Sequence, residues 1–153
     1  MIARREKIKK ILNNKSGERA IFEIYQILSP VFYTNPNNLS RYEKNIVFIE
    51  ELENEVNNGG FNQFFFNTAG DYTFEILKAL NEIGSLKFSG ILEKAIDVFP
   101  ARDIPEEMEL RREVLEQIEE KANPIWNELD MEFYKYEEDI HKLMVDYIIE
   151  NIR

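Results

Sequence analysis

Residues Asn57 to Asn67 read Asn-Asn-Gly-Gly-Phe-Asn-Gln-Phe-Phe-Phe-Asn, and this stretch decides how the chain is organised. An apolar stripe at helical spacing precedes it, formed by Ile46, Ile49, Leu52 and Val56. Gly59 and Gly60 are predicted to end that helix, because glycine adopts a left-handed helix C-terminus without steric cost. The dense aromatic run from Phe61 to Phe66 predicts one or two buried helical turns.

Apolar residues recur at helical spacing on both sides of this stretch, and no segment alternates with period two. The pattern predicts an all-α fold, a single multihelical domain of eight or nine helices. Ser40 and Glu43 match a capping box at the start of the helix before the motif. Asp71 is predicted to cap the next helix, and Pro105 and Pro124 to begin two later ones.

Charge is distributed unevenly along the 153 residues. Residues 1–19 hold seven Lys/Arg and two Glu, a balance of +5, whereas residues 20–153 hold 12 basic and 27 acidic residues, a balance of −15. We expect residues 1–19 to form a basic helix that belongs to the same domain and packs on the acidic body. A negative field repels nucleic acid and attracts basic proteins, so direct nucleic-acid binding is not expected. Acidity that only confers solubility is the alternative.

Composition also limits the class of protein. No cysteine is present, which excludes disulfides and thiolate metal sites. No apolar run approaches the ~20 residues that cross a bilayer. The sequence starts in charged residues and lacks the apolar core of a signal peptide. We therefore expect a cytoplasmic protein without a membrane partner.

No catalytic constellation is recognisable, and we expect a protein that is not an enzyme and binds no metal or cofactor. The single histidine, His141, follows Glu138 at the Glu-x-x-His spacing of di-iron bundles, but those sites need a second copy. It is expected at the surface in a solvated ion-pair cluster with Glu137, Glu138 and Asp139. Four glutamates flank the apolar stripe before the motif and are likewise expected to be solvated: Glu50, Glu51, Glu53 and Glu55.

The amide side chains of the central motif have two interpretations. They can satisfy backbone groups at two consecutive helix ends, where unpaired groups concentrate. Alternatively, they line a polar pocket floored by aromatic rings, suited to a small ligand or a peptide. The amides in question are Asn57, Asn58, Asn62, Gln63 and Asn67.

At this motif the sequence resembles the DNA-mimic-protein (DMP) family of bacterial all-helical domains. The resemblance rests on residues 55–67 and Gly70-Asp71, with further matches such as Phe99-Pro100, and it extends over roughly residues 20–153. It implies an all-helical fold and a role in which acidic side chains imitate DNA phosphates and occupy a DNA-binding protein or transcription factor. The motif residues that carry the resemblance are Asn58, Gly59, Gly60, Phe61, Gln63, Phe64, Asn67, Gly70 and Asp71.

An acidic interaction surface must be sought outside the apolar, amide-rich motif. Glu109, Glu113, Glu116 and Glu120 recur every three or four residues and form one stripe, which Arg111, Arg112 and Lys121 are predicted to interrupt. The expected partner is a protein with a basic surface, and homodimer formation stays open. A small-ligand or enzymatic site at the motif, or a toxin-immunity role, is the alternative. The full candidate surface comprises Glu106, Glu109, Glu113, Glu116, Glu120, Glu137, Glu138 and Asp139.

Overall fold

A computed structural model describes residues 2–153, which fold into seven α-helices and three short 3₁₀ turns without any strand. The all-α prediction is confirmed, whereas the prediction of eight or nine helices is wrong. No helix in this range is both long enough and apolar enough to cross a membrane. The helices are α1 (Ile2–Asn14), α2 (Gly17–Thr34), α3 (Arg41–Phe66), α4 (Thr73–Glu82), α5 (Leu86–Ile96), α6 (Met108–Tyr134) and α7 (Ile140–Asn151).

The lower helix count has two causes. Helix α3 bends at Gly59 and Gly60 but resumes at once, so the aromatic run belongs to the same helix. Helix α6 continues through Pro124, because this proline is exposed and water can replace the backbone hydrogen bond that it removes. Two predicted helix starts are also wrong. Asp71 lies in a 3₁₀ turn that ends before α4, and α6 begins three residues after Pro105.

Helix α3 is the centre of the domain and packs against α2, α4, α6 and α7. Its second half carries Phe65, whose ring centroid lies 4.8 Å from that of Phe99 and 5.0 Å from that of Trp126. All three side chains are buried. Aromatic rings remove large areas from water and are favourable in edge-on and tilted pairs. This cluster therefore holds the second half of α3 against α6.

The basic helix α1 contacts the start of α3 and the end of α7. Arg4 Nε donates to Glu43 Oε2 at 2.6 Å, and Arg5 Nε donates to the carbonyl of Ile152 at 2.6 Å. Glu43 also accepts from the Ser40 amide at 2.9 Å, while the Ser40 hydroxyl accepts from the Glu43 amide. The predicted capping box is confirmed, and α1 joins it to the end of α7.

The Arg4–Glu43 pair predicts an acid-sensitive contribution to stability. Burial alone raises the pKa of Glu43, but the bonds from Arg4 and Ser40 outweigh it and hold this pKa below its ordinary value. The ionised Glu43 carboxylate therefore stabilises the fold above the unfolded-state pKa, and this stabilisation is lost as the pH falls through the folded-state pKa. We expect Glu43→Gln to lower the free energy of unfolding at neutral pH by about 1.5–3 kcal/mol.

Urea unfolding at neutral and acid pH measures this effect. The deficit of Glu43→Gln should shrink at acid pH, because the wild-type carboxyl is then protonated too. Glu6→Gln, at an exposed position of α1, is the control and should leave stability almost unchanged. An equal deficit at both pH values would contradict the assignment.

Candidate functional site

Arg111 of α6 is fully buried and lies against the end of α3. Its Nε donates to the carbonyl of Phe65 at 2.6 Å, and its Nη2 donates to the carbonyl of Asn67 at 2.7 Å. Its Nη1 donates to the carbonyls of Pro105 and Glu106, both at 3.0 Å. The last carbonyls of a helix have no intrahelical donor, and here the guanidinium supplies it. No sequence pattern indicated this role for Arg111.

Asp71 and Gly70 complete the surroundings of this guanidinium. Asp71 Oδ1 lies 2.9 Å from Arg111 Nη2, so the aspartate is the counterion of the arginine and not a helix cap. A Cβ atom on Gly70 would lie 2.8 Å from Arg111 Nε and 2.9 Å from the carbonyl oxygen of Phe64. Only glycine leaves room for the arginine at this point. These two motif residues are thereby explained by a contact with α6.

The amides of the motif bond mainly to other side chains. Gln63 Nε2 and Asn67 Nδ2 both donate to Glu55 Oε2, at 2.9 and 3.0 Å. Asn58 Nδ2 donates to Gln63 Oε1 at 3.4 Å. The expectation that these amides satisfy backbone groups at helix ends is wrong. They form a network with one carboxylate and leave the backbone ends to residues of α6.

The bend in α3 is held from α6 as well. The Phe61 amide donates to Asp130 Oδ1 at 2.8 Å, which caps the second half of the helix. Gly60 has a φ of +78°, and a Cβ there would overlap the Asp130 carboxylate. Asn62 Nδ2 donates to Asn123 Oδ1 at 3.1 Å. The motif therefore joins α3 to α6.

A cleft of about 560 Å³ lies between α2, α3 and the segment that leads from α6 into α7. Glu50 and Glu53 line it, and they are only 8% and 4% exposed. The prediction that they are solvated is wrong. His141 is not in a solvated surface cluster either, since its side chain is 15% exposed and its Nε2 lies 3.0 Å from Glu53 Oε2. Its ion-pair partner is Glu53 of α3, and not Glu137, Glu138 or Asp139 as predicted.

The cleft changes the protonation behaviour of its side chains. Burial and the adjacent Glu53 carboxylate raise the pKa of Glu50 to about 9. Burial alone lowers the pKa of His141, but the bond to Glu53 and its charge outweigh this and raise that pKa above its ordinary value. Tyr136 donates its hydroxyl to Glu53 Oε2 at 2.7 Å. Burial and Glu53 also raise the pKa of Tyr136, so its hydroxyl stays a donor.

One signal in the sequence could have found this cleft. Residues 50, 53, 54 and 57 are all polar and follow the spacing of a single helix face. That face lies beside the apolar stripe of α3, and α2 and α7 cover it. Within residues 2–153, Glu50, Glu53 and His141 are the group whose carboxylate and imidazole atoms lie close enough together to hold a metal ion.

The first half of α6 presents the candidate acidic stripe. Arg111 points into the core and does not interrupt it, contrary to the prediction. The guanidinium carbon of Arg112 lies 3.9 Å from the ring centroid of Phe66, and its Nε donates to the carbonyl of that residue. Across the described chain, no Lys or Arg forms an ion pair with the exposed carboxylates Glu106, Glu109, Glu113, Glu116 and Glu120.

The other three candidate acids have different environments. Glu137 pairs with Lys87 Nζ at 2.9 Å, and Glu138 accepts from the Ser85 hydroxyl at 2.7 Å. Asp139 caps α7 by accepting from the amide of Lys142 at 3.1 Å. These acids lie beyond the C-terminal end of α6, whereas the stripe lies in its first half. The structure does not bring the two sets together.

Comparison with known protein families gives a match over most of the chain. The profile of a family described as DMP19-like protein matches residues 37–151. This region runs from the turn before α3 to the end of α7, so it includes the Arg111 contacts, the acidic stripe and, of the cleft, Glu50, Glu53 and His141. No curated protein and no solved structure gives a significant match.

The fit of Gly70 against Arg111 can be tested with a pair of glycine substitutions. Gly70→Ala should lower the free energy of unfolding by about 1–3 kcal/mol, because the added methyl displaces the guanidinium or the α3 carbonyl. Gly90→Ala is the matched control within α5, where a Cβ meets no atom within 4 Å. It should raise stability by about 0.5–1 kcal/mol. Thermal unfolding compares both variants, and the same sign for both would refute the proposed fit.

Proposed function

Because the chain belongs to the DMP19-like protein family, as the resemblance at the central motif indicated, we propose that it is a non-enzymatic protein-binding domain. Its exposed acidic stripe on α6 takes the place of DNA on the basic surface of a DNA-binding protein. The proposed setting is the cytoplasm, and the partner is a DNA-binding protein or transcription factor. No observation favours Asn58, Gln63 and Asn67 as a ligand or enzymatic site, since these amides bond to one another and to Glu55.

The unpaired carboxylates of the stripe are the observation that supports this proposal most directly. The four stripe glutamates and the adjacent Glu119 lie between residues 109 and 120, which are twelve helical positions, or about 18 Å at 1.5 Å per residue. Their density is therefore one charge per about 3.6 Å, close to the ~3.4 Å per charge along one DNA strand. The five are Glu109, Glu113, Glu116, Glu119 and Glu120.

The fold withdraws one nearby positive charge from this surface. Arg111 is buried among carbonyl groups, whereas Arg112 lies over the ring of Phe66 and lines the same groove as the glutamates. Residues 20–153 carry a balance of −15, so the long-range field is also negative. A basic partner is steered toward such a surface much as it is toward DNA.

An aromatic side chain lies beside the stripe and suits a protein partner. Phe66 is 47% exposed and lines a groove of about 420 Å³ together with Arg112 and the three glutamates Glu109, Glu113 and Glu116. Charge alone produces weak and salt-sensitive binding. Exposed aromatic rings are frequent anchors at protein interfaces. The groove therefore offers a partner both a negative electrostatic field and an apolar contact.

Charge-neutralising variants test the proposal on a DNA-binding protein captured from the source cells and then purified. Substituting Gln at the four stripe positions should weaken binding by about 30-fold, since each exposed pair contributes about 0.5 kcal/mol. A second variant removes the same charge from exposed acids elsewhere and should bind nearly as the wild type does. The stripe positions are Glu109, Glu113, Glu116 and Glu120, and the control positions are Glu75, Glu128, Asp146 and Glu150.

Competition with duplex DNA completes the test. Fluorescence anisotropy of a labelled duplex should show that the wild-type chain displaces DNA from the partner and that the stripe variant does so poorly. Binding that saturating duplex leaves intact would overturn the mimicry. Equal weakening of partner binding in both variants would show that binding depends on overall negative charge and not on the α6 stripe.

A further inference from the structure

We propose that Glu50, Glu53 and His141 form a binding site for one divalent transition-metal ion, zinc by preference, in the cleft between α2, α3 and α7. The site is separate from the α6 stripe and does not depend on the proposed function. Its ligand atoms are one oxygen from each carboxylate and one imidazole nitrogen. These atoms all lie within 4.8 Å of one another.

Two unpartnered oxygens point to a ligand. Oε1 of Glu50 and Oε1 of Glu53 are both buried and accept no hydrogen bond from any described residue. A buried carboxyl oxygen without a partner is unfavourable. A divalent ion between Glu50 and Glu53 would bind both oxygens. Binding releases the proton of Glu50 to solvent, and the two carboxylates then neutralise the two positive charges of the ion.

The distances suit first-row metal coordination. Zinc binds imidazole nitrogen and carboxylate oxygen at about 2.0–2.2 Å, which places ligand atoms of a tetrahedral site about 3.4 Å apart. His141 Nε2 lies 3.0 Å from Glu53 Oε2, so the imidazole and the Glu53 carboxylate are adjacent. Bringing the Glu50 oxygen closer requires a small movement of one side chain. A fourth position is left for water, as in zinc sites with three protein ligands.

Neighbouring side chains hold the ligands in place. The Tyr136 hydroxyl donates to Glu53 Oε2 and accepts from Asn57 Nδ2, at 2.7 and 2.8 Å. The Tyr136 ring is nearly parallel to the ring of His141, at 16°. Tyr136 itself has a φ of +44°, which is uncommon for an aromatic residue. Such outer contacts orient metal ligands and leave Oε1 of Glu53 free for the ion.

The lining of the cleft selects cations over anions. Glu18, Glu138 and Asp139 stand around the three proposed ligands, and no Lys or Arg is among the described residues that line it. An enclosed surface of one sign concentrates ions of the opposite sign. The imidazole favours zinc over calcium and magnesium, which prefer oxygen ligands, and zinc binds such sites more tightly than manganese does.

The single histidine makes a sharp spectroscopic test. Only His141 contributes histidine ring signals to a ¹H–¹³C spectrum of the full chain, so these signals report directly on the site. Zinc added to chelator-treated protein should shift them and saturate at one ion per chain. Calorimetry should give the same stoichiometry, and excess magnesium or calcium should not reverse the shift.

Substitutions locate the remaining ligands. Glu50→Gln and Glu53→Gln should each weaken zinc binding by at least about 10-fold. Glu150→Gln, at an exposed position of α7, should bind as the wild type does. The amides keep the shape of the carboxylates, and circular dichroism verifies that the variants are folded. Zinc that binds without moving the His141 signals, or that binds both cleft variants normally, would overturn the site.

Discussion

The buried guanidinium of Arg111 joins the end of α3, the turn before α4 and the loop before α6. A charge can be buried only where its hydrogen bonds are made, and here all the nitrogens of the guanidinium face carbonyl or carboxylate oxygens. The carbonyls benefit equally, because they end a helix inside the protein and have no other donor. Gly70 is required by the same contact, since any side chain there would occupy the space of the arginine.

This contact also sets the rotation of α6 about its own axis. With Arg111 directed into the core, Leu115 and Trp126 of the same helix follow it inward. The stripe glutamates, on the opposite face of the helix, then face solvent without a paired cation. The arginine that stabilises the joint is thus withdrawn from the surface, and the surface becomes more acidic than the composition of the helix suggests. Fold stability and the proposed interaction surface therefore depend on the same orientation of α6 about its axis.

Helix α3 uses its carboxylates in two different ways. Glu55 accepts from two amides of the motif and has a structural explanation. Glu50 and Glu53, on the cleft side, have oxygens that no described residue satisfies. Natural proteins keep such local conflicts mainly where function requires them. The contrast between neighbouring carboxylates on one helix, more than acidity itself, is what singles out the cleft.

The sequence by itself determined the helical class, the capping box at Ser40, the aromatic core of the motif and the family. These follow from local spacing and from residue types that act within one turn. Only the tertiary structure decided that Pro124 leaves α6 intact, that Arg111 points inward, and that His141 meets Glu53. Each of these depends on which helix packs against which, and contacts between residues 46 or 88 positions apart leave no periodic signal in the chain.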